Sequence, residues 1–179
     1  MNKIIWIAGI VLALIVGYVA AGPYLTISEI KTGIVESDSE KLSENIEFPT
    51  LRENVKEQLN AVMMKNAAAE MKDNSFAALA AGFATKMVDG MVDSFLTPSG
   101  LAALMEGKKP SKGGASRDTS LPKKDDLFKN ARFSYDSISK FSIWVPNDQE
   151  KEARFILIRD GFSWKLVNLV IPMDETSYK

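Results

Sequence analysis

Residues 153–171 read ARFILIRDGFSWKLVNLVI, two runs rich in β-branched and aromatic residues that meet at Asp160-Gly161. An Asp-Gly pair between such runs marks a two-residue hairpin, because both central positions of the favoured turn need positive φ. The predicted strands 153–159 and 162–171 are therefore antiparallel. Alternation puts Phe162, Trp164 and Leu166 on one side of the second strand and Val167, Leu169 and Ile171 on the other. Since such a sheet buries one face on helices, the first set is expected to meet a helical layer. The second set is then expected to be partly covered by a loop or another chain.

Working back along the chain, 131–136 and 141–145 alternate in the same way, so the half 131–179 holds an antiparallel sheet of about four strands. Pro146 and Pro172 close strands. Trp144 and Trp164 pack in or at the rim of a core, or offer a ligand platform. Before the strands, residues 107–130 carry 7 basic and 3 acidic side chains and no apolar period, and the stretch 106–121 is rich in glycine, serine and lysine. This reads as a basic, flexible connector, whose Lys108, Lys109, Lys112 and Arg117 are alternatively a contact for anionic lipid or an acidic partner.

Residues 24–106 form the helical half, with 7 basic and 13 acidic side chains. Ile27, Ile30 and Ile34 recur at helical spacing, and Leu42 and Ile46 follow a break at Ser37-Asp38-Ser39, where Ser37 with Glu40 fits a capping box and Asp38 is a competing cap. Glu36, Asp38, Glu40, Glu44 and Glu47 lack the spacing of a calcium loop and read as a solvated face. A further helix starts at Phe48-Pro49 and carries Leu51, Val55, Leu59, Val62 and Met63 as one stripe to about Asp73. Arg52, beside that stripe, pairs with Glu53 or a carboxylate of the earlier helix, or touches a ligand.

Between 76 and 96, Phe83, Met87, Met91 and Phe95 recur every four residues. The stripe suits core packing, an apolar ligand or partner helix, or a membrane surface. Asp89 and Asp93 fall off it and are expected to keep the outer face wet, although read alone they suggest a shared proton or a metal. Thr97 fits an N-cap with Pro98 at the first helical position, Leu101, Leu104 and Met105 return to the core, and Gly107 ends the turn.

The N-terminus carries 18 uncharged residues, 4–21, and the next charge is Glu29. A helix needs about 20 apolar residues to cross the hydrocarbon core, so 1–23 reads as a membrane anchor. Lys3 and the terminal amine favour a cytoplasmic N-terminus, a single pass through the cytoplasmic membrane and an exported, periplasmic domain spanning 24–179. Val19-Ala20-Ala21 offers the alternative of a cleaved signal segment.

With 22 basic and 23 acidic residues the net charge of −1 gives no field to hold nucleic acid, while 46% hydrophobic content supports a core. Cysteine and histidine are both absent, which removes thiol and histidine catalysis, disulfides and the usual zinc sites. No cofactor and no metal are expected.

The stretches GPYLTISEIKTGIVESDSEKLSENIEFPTLRENVKEQL (22–59), MVDSFLTPSGLAALMEG (91–107), FSYDSISKFSIWV (133–145) and RDGFSWKLVNLVIP (159–172) together resemble the bacterial membrane-associated family called domain of unknown function 2939. Its most specific pieces are the steps Phe48 to Arg52, Thr97-Pro98 and Trp164 to Leu166. The resemblance implies an architecture and no activity. Helices followed by a sheet closing on a Trp-Lys-Leu strand also look like the small cone-shaped nuclear-transport-factor-2-like folds, an analogy that implies a pocket between sheet and helices.

The expected fold is α+β: a transmembrane helix, a helical half, then the sheet. The expected function is an exported, membrane-anchored binding or interaction domain, not an enzyme. Its candidate ligand or partner surface comprises Phe83, Met87, Met91 and Phe95 with Trp164 and Arg52. The alternatives are an apolar-ligand or lipid-handling protein, a carboxylate enzyme resting on Asp89, Asp93 and Arg52, and a structural subunit of an envelope complex.

Overall fold

The apolar run does not end at Gly22-Pro23. In the computed structural model, which describes residues 2–70, 76–105, 128, 130–146 and 151–172, helix α1 runs unbroken from Asn2 to Glu36. Pro23 lies inside it and withholds one backbone N–H, which a helix tolerates where tertiary packing compensates. Residues 3–18 are exposed on all sides, whereas from Gly22 onward one face is buried through Thr26, Ile27 and Ile30. The boundary expected at 23 thus falls within a single rigid element.

α1 stops at Ser37, whose φ of 54° turns the chain. The Asp38 N–H then donates to the Gly33 carbonyl (2.9 Å) and the Ser37 N–H to that of Ile34 (3.4 Å), the paired bonds that close a helix C-terminus. Of the two competing caps, Asp38 starts α2 (Ser39–Asn45), its carboxylate accepting from the Lys41 N–H at 3.0 Å. Next come α3 (Phe48–Glu70), α4 (Phe76–Phe95) and α5 (Pro98–Met105). Thr97 caps α5, its hydroxyl accepting from the Gly100 N–H at 2.8 Å. The expected end of α3 at Asp73, the side chains of Leu104 and Met105, Gly107, and the connector apart from Phe128 and Asn130 lie outside the described residues.

Four strands, β1 (Arg132–Ser137), β2 (Lys140–Pro146), β3 (Glu152–Asp160) and β4 (Ser163–Val170), form an antiparallel meander in the order β1-β2-β3-β4. The α+β class is therefore as expected, but the last hairpin departs from its expected geometry twice. Asp160 pairs with Ser163, so the turn residues are Gly161 and Phe162, and only Gly161 has positive φ (61°). Phe162 consequently sits at the tip, 70% exposed, and does not share the buried face of Trp164 and Leu166. In addition, Ile156 pairs with Asn168 but Leu157 with Leu166, leaving Val167 as an extra residue in β4. This bulge returns Leu169, opposite Phe155, to the Trp164 face and into contact with the core.

Among the described residues, helices and sheet share one hydrophobic core. Leu42, Phe141, Ile143, Leu157 and Trp164 are each at most 1% exposed, and Ile27, Ile30, Leu51 and Val55 close over them from α1 and α3. The free edge of β4 is covered by Glu47 and by α3 itself. The Glu47 N–H donates to the Leu166 carbonyl (2.9 Å), Asn54 Nδ2 to that of Val167 (2.9 Å), and Gln58 Nε2 to that of Leu169 (3.1 Å). Gln58 Oε1 then accepts from the Ile171 N–H at 2.8 Å. Side-chain amides thus complete the hydrogen bonding of one sheet edge, while every residue of β1, at the other edge, is exposed.

Candidate functional site

α4 presents two adjacent apolar stripes, and the fold buries the one formed by Val88, Val92 and Leu96. The stripe expected to enter the core or line a site faces outward instead: Phe83 is 74% exposed, Met87 71% and Met91 51%, while Phe95 is half-buried at the end of the helix. The acids decide this orientation. Asp93 lies 2.6 Å from Lys56 Nζ and 3.7 Å from Arg52 Nε, and Asp89 accepts from Asn60 Nδ2 at 3.2 Å. Turning the aspartates toward α3 matches them with its bases and amide and packs small β-branched residues along the seam. It leaves the bulkier phenylalanines and methionines outside. Of the two aspartates expected to keep an outer face wet, Asp89 is half-buried against α3, whereas Asp93, though paired, keeps 54% of its side chain exposed.

Arg52 serves the same seam. Its Nη1 also donates to the Leu96 carbonyl at 3.1 Å, which holds the C-terminal end of α4 against α3. Its partner is therefore a carboxylate of the later helix, not Glu53 or an earlier one. Both aspartates are occupied by α3 side chains, and among the described residues no three carboxylates gather to hold a metal ion. The Asp89, Asp93 and Arg52 group is accounted for by helix packing.

Trp164, grouped with the candidate surface from its sequence, is 1% exposed and belongs to the core. Its indole lies on α1 at Gly22, so closely that a Cβ there would stand 2.6 Å from the ring. Around this contact Tyr24, Phe133, Tyr135 and Phe141 form a collar of ring contacts at 4.7–6.4 Å. The Tyr135 hydroxyl donates to the Ala20 carbonyl, and Thr26 Oγ1 to the Trp164 carbonyl at 3.1 Å. Burial first, and then the neighbouring Tyr24, raise the Tyr135 pKa above its ordinary value, so the hydroxyl stays a donor. The collar fixes the sheet to α1 where the exposed apolar run ends.

The outer face of the sheet carries a polar cluster that the sequence reading did not single out. Asp136 Oδ2 accepts from Ser142 Oγ (2.7 Å) and from Arg154 Nη2 (2.6 Å), and Arg154 Nε donates to the same Ser142 oxygen (3.0 Å). The Arg154 guanidinium lies 4.4 Å from the Trp144 ring centroid and that of Arg132 lies 5.3 Å away. The Ser142 hydrogen bond, then Arg154, hold Asp136 below its ordinary carboxylate pKa, which makes it a weak base for activating the serine. The cluster ties β1 to β3 across β2. Cross-strand register was the missing signal, since these three residues are scattered in the sequence.

A family profile described as "Protein of unknown function (DUF2939)" matches residues 12–104, 93 of the chain's 179 residues. The match starts inside the apolar run and ends within α5, so it covers the helical part and stops short of the sheet. No curated protein and no solved structure matches the chain.

Proposed function

Because this chain belongs to the DUF2939 family, whose description names no activity, we propose from its own geometry that it is a membrane-tethered interaction domain without catalytic function. The observation that carries this reading is the outward stripe Phe83, Met87 and Met91. These three large apolar side chains lie on one helix face, each more than half exposed, in a domain whose core is already closed. Methionine-rich faces adapt to partner shape, which suits docking of a protein surface. The apolar helix α1 provides the tether, with Lys3 favouring a cytoplasmic N-terminus and an exported domain.

A photoreactive amino acid placed at Met87 in native membranes tests the reading, with Glu57 on the exposed face of α3 as control position. A discrete adduct at Met87 that is missing at Glu57 and is lost on adding Phe83→Glu is expected. Equal labelling at the two positions would refute a docking role for the stripe.

A further inference from the structure

The collar residues give the sheet a direction relative to α1. Tyr24 meets Phe133 in a tilted ring contact at 5.7 Å, and four residues earlier Ala20 meets Tyr135, two residues further along β1. β1 therefore advances toward the N-terminal end of α1. β4 reports the same geometry from the other side, because its start at Trp164 lies on Gly22 and is bonded to Thr26. The two turns that precede β2 and β4 thus lie at the end of the sheet that faces the exposed apolar run.

Each of those turns carries a large apolar side chain at its tip. Ile138, between Ser137 and Lys140, is 85% exposed, and Phe162, between Gly161 and Ser163, is 70% exposed. At about 3.3 Å per strand residue against 1.5 Å per helix residue, three residues beyond Tyr135 carry Ile138 roughly 6–10 Å past Ala20, level with apolar residues of the run. The Trp164 carbonyl is level with Thr26, so Phe162, two residues earlier, extends the same way by roughly 6 Å, to about the level of Gly22 where the apolar run ends.

We propose that Ile138 and Phe162 are membrane-inserting tips that seat the domain on the phospholipid bilayer crossed by α1. The proposal rests on the reading of α1 as an anchor. If residues 4–21 fill the hydrocarbon layer, tips level with that run enter the boundary between headgroups and acyl chains. Ser137, Ser139 and Ser163 flank the tips and suit the headgroup layer, so insertion is shallow. The charges nearby cancel: Lys140 and Arg159 stand behind the tips with Asp136 and Asp160, and Arg159 Nε is held by the Gly161 carbonyl at 2.8 Å. Seating is therefore apolar and independent of anionic lipid.

The chain has no cysteine, so single cysteines at 12, 87, 138 and 162 take a nitroxide spin label cleanly in the full-length protein. In phosphatidylcholine vesicles, collisions with lipid-soluble oxygen are expected to exceed those with a water-soluble nickel chelate at Leu12→Cys, Ile138→Cys and Phe162→Cys, with the reverse at Met87→Cys. Adding anionic lipid should leave these ratios unchanged. A water-exposed label at either tip, with position 12 still in lipid, overturns the seating but leaves the anchor intact. A water-exposed label at position 12 overturns both. Low access to both reagents at the tips means protein contact and overturns the lipid assignment.

Discussion

Gly22 is the residue on which the exposed apolar run and the domain meet. Trp164 occupies the position where a side chain would project, so Gly22→Val forces the indole away from α1 and disturbs Tyr135 and Phe141 with it. Overpacking a closed core costs about 1–3 kcal/mol. Thermal unfolding of the full chain in detergent should show a lower midpoint and a red-shifted tryptophan emission, whereas an unchanged midpoint would mean that the contact is loose. Local sequence rules served unevenly at this scale. The caps at Asp38 and Thr97 follow from hydroxyl and carboxylate chemistry within four residues. The packing of Trp164 on Gly22 depends on residues 142 positions apart, and no local pattern encodes it.

Among the elements, α3 has the most varied work: it buries Leu51 and Val55, pairs with the aspartates of α4, and finishes the edge of β4. Gln58 uses both ends of its amide there, accepting from the Ile171 N–H and donating to the Leu169 carbonyl. Gln58→Leu keeps the volume and removes both bonds, so a loss of about 1–2 kcal/mol is expected. Amide hydrogen exchange should accelerate at Ile171 while staying slow at Leu157 in the sheet centre. Equal acceleration at both would place the effect in the core instead of the edge. All four strands lie within two residues of where alternation put them, because the β-branched and aromatic runs are bounded by turn residues. Two features of the elements escaped that reasoning. The bulge at Val167 is silent because Val-Asn-Leu-Val alternates acceptably in either register. The orientation of α4 was ambiguous because its two neighbouring stripes are both apolar, and the choice is made by bases and an amide on α3. The candidate residues Phe83, Met87 and Met91 were thus legible as a stripe, but their exposure was not.

For the whole molecule, the competing fates of the N-terminal segment make opposite demands on Ala20 and Gly22. Removal of a signal at Val19-Ala20-Ala21 would discard the carbonyl gripped by Tyr135 and sever the helix beside its buried half. Retention is therefore expected, and a reporter enzyme that works only outside the cytoplasm, fused after Lys179, tests this together with orientation. The fusion should be active, resist alkaline extraction from membranes and keep its full mass. A shortened, extractable product would establish cleavage, and an inactive membrane-bound fusion would reverse the orientation. The unbroken passage of α1 from apolar run to domain core also sets a stand-off distance. Residues 22–36 add about 20 Å of helical rod beyond the apolar run, and the domain packs on one face of that rod and is not suspended from a leash. A leash lets a domain search a volume; with α1 anchored as proposed, a rod confines it to a thin layer beside the bilayer. Any partner of the α4 stripe must then come to that layer itself.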